Sequence, residues 1–288
     1  MFTKYRIILL LLLLIVLSGC EINRLRSAED LYQKNYYAAA IVELDDLILS
    51  AENRAIATRA EIVRSNCYSA LAEAAVEKKN WPLAIRFFKL ANSDSANLRL
   101  AEIYRDLSLE AEKAGNQIVS KTYLDAIIRE VPESPLIPEV LYRRICYFVD
   151  VKSDNESAWN DYTRLYDNYQ NNPYEILARN YVMRFVPGKL KYAEVLNEQG
   201  YYADALKELF ELSKYPVVDM DQVNKQISAV YEKQAEELLS EQNYIEADRL
   251  FRIAMQYYPQ KKASITSRLE SITNLFIQKG NSLLEAGD

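Results

Sequence analysis

The chain has 288 residues, with 35 lysines and arginines against 41 aspartates and glutamates, and a formal net charge of −6. An acidic chain disfavours nucleic acid as a partner, because phosphate binding needs a basic face. The sequence contains no histidine, which excludes imidazole acid–base catalysis and HExxH zinc sites. Its six glycines form neither GxGxxG nor GxxxxGK, so phosphate-cradling loops are excluded as well.

Residues 1–20 predict a secretory signal sequence. Two basic residues precede an unbroken apolar run over residues 7–17, which is too short for a bilayer core that needs about 20 residues. The run ends in LSGC, which resembles the bacterial lipobox. That resemblance implies cleavage before Cys20 and lipid attachment to its thiol. The alternative is an ordinary cleaved signal with a coincidental cysteine.

The residue after Cys20 predicts the membrane that holds the anchored chain. Glu21 stands where the inner-membrane retention signal of enteric Gram-negative bacteria would have Asp. By that resemblance the chain is anchored to the outer membrane and faces the periplasm. In a Gram-positive cell the same anchor would hold it at the outer face of the plasma membrane. Two or three acyl chains suffice for this, at about 0.8 kcal/mol per buried CH₂.

A spacing of aromatic, small and bulky residues recurs along the rest of the chain. An aromatic residue stands 16 positions before a small one, and a bulky apolar residue follows four positions later. Because positions i and i+4 share a helix face, each set predicts two antiparallel helices that bury these side chains. The four clear sets are Tyr68, Ala84, Phe88; Tyr104, Ser120, Leu124; Tyr142, Ala158, Tyr162; and Tyr231, Ala247, Phe251. Weaker sets centre on Leu31, Ala40, Leu44 and on Ala193, Ala205, Leu209.

Gly or Asn precedes an aromatic residue between the two helices of several sets. Both residue types tolerate the left-handed conformation that ends a helix. The pattern therefore predicts helix-ending residues in four turns, at Asn35, Asn80, Gly200 and Asn243.

The repeats divide into two predicted arrays. Residues 21–172 hold about four units, and residues 188–288 hold about two units and a final capping helix. Residues 173–187 form a helical segment that fits no repeat position and ends at Pro187-Gly188. We interpret this inserted segment as a hinge.

These positions resemble the tetratricopeptide repeat, whose pattern runs aromatic, Leu-small, aromatic, Ala-x3-Phe and Pro. The resemblance implies an all-α, right-handed superhelical array of about six hairpins with a C-terminal capping helix. It also implies a concave surface, lined by the first helices, that takes an extended segment of a partner. A shorter segment, IIREVPESPLIPEVLYRRI at 127–145, resembles a junction in two envelope families. They are the tetratricopeptide lipoprotein of the β-barrel assembly machinery and the periplasmic coordinator of the Tol-Pal system.

Candidate partner-binding residues follow from their offset from the core stripe. They are Arg105, Leu109, Arg143, Tyr147, Asp150, Glu194 and Glu236. Arg105, Arg143 and Tyr147 would make a basic and aromatic patch suited to a peptide carboxylate or an acidic side chain. The alternative for each residue is an ordinary solvated helix face.

The sequence thus predicts a non-catalytic cell-envelope lipoprotein, with no cofactor and no metal, that scaffolds a protein complex. Its expected partners are envelope proteins or extended peptide segments, besides the membrane that holds its lipid anchor. The alternative is a receptor or accessory subunit that captures a small molecule or glycan for nutrient uptake or cell-wall synthesis. Cys67 and Cys146 lie in first helices with a whole hairpin between them, so we expect free thiols rather than a disulfide.

Overall fold

The structure, a computed structural model, describes residues 20–286, with side-chain burial for residues 20–285. These residues form fourteen α-helices and no strand, which confirms the predicted all-α class. The predicted signal sequence lies outside the described residues except for Cys20. In chain order the helices are α1 (20–33), α2 (Tyr37–Ser50), α3 (Arg54–Glu77), α4 (Trp81–Ala91), α5 (Asp94–Lys113), α6 (Gln117–Glu130), α7 (Ile137–Tyr147), α8 (Asn155–Asn168), α9 (Pro173–Val182), α10 (Val186–Glu198), α11 (Tyr202–Leu212), α12 (Met220–Ser240), α13 (Tyr244–Tyr257) and α14 (Lys262–Ala286).

Successive helices pack as hairpins. The pairs are α1–α2, α3–α4, α5–α6, α7–α8, α10–α11 and α12–α13, while α9 packs on α8 and α14 packs on α13. Short irregular helices complete two connections: a π-helical turn over Phe148–Lys152 and a 3₁₀ turn over Pro259–Lys261. The predicted array of six hairpins with a final unpaired helix is therefore confirmed. Its superhelical course stays a prediction.

The small and bulky residues of every predicted set are buried. None of them is more than 2% exposed, whereas the aromatic residues range from buried to half-buried. The buried residues are Ala40, Leu44, Ala84, Phe88, Ser120, Leu124, Ala158, Tyr162, Ala205, Leu209, Ala247 and Phe251. The small side chains let the two helices of a hairpin approach closely, and the bulky ones fill the space beside them.

In hairpin α5–α6 the contact between small residues is polar. Ser108 and Ser120 are both buried, and their hydroxyl oxygens lie 2.8 Å apart. The Ser120 hydroxyl also donates to the Glu112 carboxylate at 3.0 Å. Since buried hydroxyls are costly only when unsatisfied, this hairpin keeps the close helix approach without an alanine pair.

Five hairpin turns share one backbone geometry. A residue with positive φ ends the first helix, and the N–H of the next residue donates to the carbonyl five residues earlier, as in a Schellman motif. The positive-φ residues are Asn35, Lys79, Gly115, Gly200 and Gln242. Equivalent turns at equivalent positions explain why the hairpins repeat.

The predicted left-handed residues are correct at Asn35 and Gly200 and wrong at Asn80 and Asn243. In those two turns Lys79 and Gln242 take the left-handed conformation, one position earlier. Asn80 instead precedes α4, and its side-chain oxygen accepts the N–H of Leu83 at 3.4 Å. An Asn between two helices satisfies either role, and here the start of the second helix uses it.

The chain divides into two compact units, Met1–Val140 and Leu141–Asp288. The predicted division by a hinge at 173–187 stays a prediction. Residues 183–185 form the turn between α9 and α10, so Pro187 lies in the first turn of α10 rather than in the break. A proline is well tolerated there, because the first backbone N–H groups of a helix have no intrahelical partner.

The Pro-Glu-Ser-Pro segment connects α6 to α7. Val131 and Ser134 are buried, while Pro132, Glu133 and Pro135 are exposed. The Ser134 hydroxyl accepts the N–H of Leu136 at 3.2 Å, and its carbonyl accepts the N–H of Ile137 at 3.1 Å. The segment therefore ends one helix and starts the next within a few residues.

Glu130, directly before this segment, joins three donors. Its carboxylate accepts the Tyr104 hydroxyl at 2.7 Å, and it pairs with Lys89 at 2.9 Å and Arg129 at 3.0 Å. Burial alone would raise the pKa of Glu130, but these hydrogen bonds outweigh it and hold the pKa below its usual value.

We expect Glu130→Gln to destabilise the chain by about 1–2 kcal/mol at pH 7, because charged hydrogen bonds become neutral ones. A carboxyl with a lowered folded pKa adds stability above its unfolded pKa of about 4.3, and that stability is lost as the pH falls through the folded pKa. Urea unfolding at pH 7 and pH 3 should thus show the two chains converging at low pH. The exposed neighbour Glu133→Gln is the control, and an undiminished difference at pH 3 would contradict the account.

Candidate functional site: a groove between α10 and α12

A groove of about 450 Å³ lies between α10 and α12, the first helices of the last two hairpins. It belongs wholly to the unit that begins at Leu141. The sequence predicts that first helices line a partner-binding surface, and this groove lies between two of them. The groove residues are Ala193, Glu194, Asn197, Glu198, Leu209, Gln222, Lys225, Gln226, Ala229 and Val230.

The groove runs between the second half of α10 and the first half of α12. α10 ends at Glu198, and Gly200, with φ of 83°, turns the chain back into α11. α12 begins after Asp219, whose carboxylate accepts the N–H of Asp221 at 3.0 Å. The small side chains of Ala193 and Ala229 leave open the space that longer side chains would fill.

Two buried oxygens in the groove lack hydrogen bonds. Asn197 Oδ1 and Gln226 Oε1 are shielded from solvent and have no donor within the part of the chain that the structure describes. A buried polar atom without a partner costs about 1–3 kcal/mol. A ligand that presents N–H groups to both oxygens would recover that cost once the side chains that cover them move aside.

The charges around these oxygens are mixed, with two carboxylates and three lysines nearby. Glu194 and Glu198 on α10 and Lys225 on α12 are exposed, and Glu194 pairs with Lys191 at 2.9 Å. The Lys233 ammonium donates to the backbone carbonyls of Asn197, at 3.0 Å, and Glu198, at 2.8 Å. That contact satisfies the C-terminal end of α10 and leaves the Asn197 side chain to the groove.

Two of the predicted partner-binding residues lie in the first unit. Arg105 and Leu109 stand on α5, and both are half-buried. The Arg105 guanidinium pairs with Asp106, its neighbour in sequence, at 3.0 Å.

Three predicted residues lie on α7 and the π-helical turn that follows it. Arg143 is half-buried, and Tyr147 is only 7% exposed, with its ring against Phe148. Asp150 is exposed and lies 3.4 Å from the guanidinium of Arg184. Tyr147 therefore presents almost no surface to a partner. Its offset from the core stripe predicts the helix face on which it lies but not the neighbouring ring that covers it.

The last two predicted residues lie in the final hairpins. Glu194 lines the groove, whereas Glu236 on α12 pairs with Arg268 of α14 at 3.2 Å. Partner binding by the seven residues stays a prediction.

Sequence reasoning missed Asn197, Gln226 and Lys225 in the groove. Asn197 follows Glu194 by three positions and Gln226 lies four before Val230, so each shares a helix face with another groove residue. Asn is a poor helix former, and its presence near the end of α10 was the available signal. It did not reveal which side-chain atoms would be buried.

The cysteines are free thiols in different surroundings. Cys20 is exposed, Cys67 is buried and Cys146 is half-buried. Burial raises the pKa of Cys67 to about 11, so its reactive thiolate form is scarce at neutral pH. Over residues 20–286, no cluster of three Asp, Glu or Cys side chains could hold a metal ion. Within the same range, no helix has the length and apolar character that crossing a bilayer requires.

Comparison with known proteins gives a likeness in structure alone. No family model and no curated protein matches the chain. A crystal structure of the P58(IPK) TPR domain is 16% identical to the chain and has a TM-score of 0.31. The match covers 90% of this chain and 80% of the chain in that structure. A tetratricopeptide repeat protein from Parabacteroides merdae is 12% identical, covers 88% of this chain and 98% of its own, and has a TM-score of 0.27. Identities and TM-scores this low say nothing of partner or activity.

Proposed function

We propose that the chain is a non-catalytic scaffold that binds an extended segment of a protein partner in the α10–α12 groove. The observation that supports this most is the pair of partnerless oxygens on Asn197 and Gln226, next to the Glu194 and Glu198 carboxylates. An extended peptide carries one backbone N–H per residue and can add lysine or arginine side chains. A segment that presents N–H groups therefore matches the two amide oxygens in hydrogen bonding, and its basic residues would face Glu194 and Glu198.

We also propose that the scaffold works in the bacterial cell envelope, as a lipoprotein of the outer membrane or of a periplasmic assembly complex. The lipobox-like LSGC supports this, as does the Pro-Glu-Ser-Pro segment, which resembles a junction in envelope proteins of the β-barrel assembly and Tol-Pal systems. The Cys20 thiol is exposed at the start of α1, where an acyl anchor can be attached without disturbing the helices.

Site-specific photo-crosslinking in the native cell tests the groove. A photoreactive phenylalanine analogue replaces Gln222, which is exposed in the groove, or Lys207, which is exposed on α11 outside it. The full-length chain is expected in the membrane fraction, and Cys20→Ser should release it. We expect one adduct of discrete mass from position 222 and none from position 207.

Charge reversal supplies a matched control. Glu194→Lys with Glu198→Lys should lower the adduct at least tenfold, because both groove carboxylates become repulsive to a basic segment. Asp204→Lys with Glu208→Lys makes the same change at the same spacing on α11 and should leave the adduct intact. Equal loss in both pairs would contradict binding in the groove. An adduct blocked by a small molecule that also raises the melting temperature would favour the capture alternative.

A further inference from the structure

The second half of α14 carries an apolar stripe that the described chain leaves largely exposed. Phe276, Ile277, Leu283 and Leu284 are 53%, 54%, 47% and 77% exposed. The first half of the same helix is packed, since Ile265, Leu269 and Ile272 are buried against α13. Along the stripe the contact with that hairpin is only partial, since the Phe276 ring centre lies 6.3 Å from that of Tyr244 and Lys279 Nζ lies 3.3 Å from the Gln242 side-chain oxygen.

This stripe is symmetric about Gly280. Phe276 and Leu284 lie four positions before and after it, and Ile277 and Leu283 lie three positions before and after it. At about 100° per residue the five residues span about 120° of the helix surface, centred on the glycine. An antiparallel copy placed across a two-fold axis at Gly280 would set Phe276 against Leu284 and Ile277 against Leu283, in both directions at once.

Gly280 itself has no role in the packing of its own chain. It lies inside a helix, where glycine costs about 1 kcal/mol relative to alanine, and a Cβ there would meet no atom within 4 Å. A glycine on the axis of a helix pair would let the two backbones approach closely. A single chain gives no reason for a glycine at position 280, whereas close contact between two copies of α14 does.

A cavity lies beside the stripe, between α13 and α14. Phe276 lines a space of about 230 Å³ together with Tyr244, Ile245 and Ile272, and Ile245 is 74% exposed. In the antiparallel arrangement Leu284 of a second copy lies over Phe276, next to this cavity. The proposed contact would therefore reach from α14 onto α13.

We propose that the chain forms a two-fold homodimer through antiparallel pairing of α14, with Gly280 on the axis. The occupant of the stripe is a second copy, because the residues on either side of Gly280 are complementary to one another. An interface only about three helical turns long is small, which places it among weak associations. It is independent of the groove and does not rest on the proposed function.

Self-crosslinking of cysteine variants tests this arrangement in cells that express the full-length chain. Gly280→Cys places two thiols at the axis, and we expect copper phenanthroline to convert it to a disulfide-linked dimer at least tenfold above the wild-type background. Gln278→Cys is the matched control, because it is equally exposed but lies about 160° around the helix. It should remain near background.

Two further variants decide the orientation and the contact. Phe276→Cys should not link to itself, since two copies of it lie about 12 Å apart along antiparallel helices, but it should link to Leu284→Cys when both chains are expressed together. Leu284→Asp in the Gly280→Cys chain should lower the dimer at least tenfold, and because Leu284 is exposed the substitution should leave the fold of the chain intact. Equal linkage at 278 and 280, self-linkage at 276, or an adduct of another mass would each overturn the proposal.

Discussion

Phe88→Ala is expected to destabilise hairpin α3–α4 by about 3–5 kcal/mol. Phe88 is 2% exposed and lies on the same face of α4 as Ala84 and Ala91, which are also buried. Alanine would remove its contacts and leave a cavity that two rigid helices cannot close. Because each repeat is stabilised mainly by its neighbours, α3 and α4 should be the first helices to lose stability. Hydrogen exchange of residues 54–91 should accelerate about a hundredfold or more in the full-length chain.

The neighbouring phenylalanine is the control. Phe87 is half-buried, and its ring centre lies 6.2 Å from that of Tyr68. Phe87→Ala removes an aromatic contact worth about 0.5–1.5 kcal/mol and opens no enclosed cavity. Similar losses from the two variants would show that the repeat spacing does not mark the core of this hairpin.

The repeat could be predicted from the sequence because its signal is redundant. Each hairpin needs a small residue where the helices approach and a bulky one four positions later, and both lie on one helix face. The helical segment predicted at 173–187 contains α9, at Pro173–Val182. That it is an insertion between two arrays stays a prediction.

Side-chain detail was not predictable in the same way. The pattern finds Asn35 and Gly200 but not Lys79, because the left-handed position depends on where the first helix runs out rather than on residue preference. Likewise the burial of Tyr147 depends on its contact with Phe148. The polar character of the groove depends on which amide oxygens are buried without partners. These are properties of contacts, and spacing alone does not specify contacts.

Helix α9 buries a charge as well as apolar residues. Glu175 is 1% exposed, and the Arg179 guanidinium contacts both of its oxygens at 3.0 Å from one turn later. The pKa of Arg179 is raised, chiefly by its hydrogen bonds to that carboxylate. The Tyr162 hydroxyl lies 3.5 Å from the same carboxylate, so the pair sits at the contact of α8 and α9.

Arg179→Met should therefore destabilise the C-terminal unit by about 3–5 kcal/mol, because it leaves the Glu175 carboxylate buried without its partner. Glu175→Leu should cost much less, since Arg179 is 36% exposed and its guanidinium can turn to water. The double variant should lie within about 1 kcal/mol of the original chain, as apolar replacements of buried ion pairs often do. Arg184→Met, which breaks the exposed pair with Asp150, is the control and should cost no more than about 1 kcal/mol. Denaturant unfolding of all four variants measures the cycle. A double variant as unstable as Arg179→Met alone would show that the arginine acts through its packing rather than by neutralising Glu175.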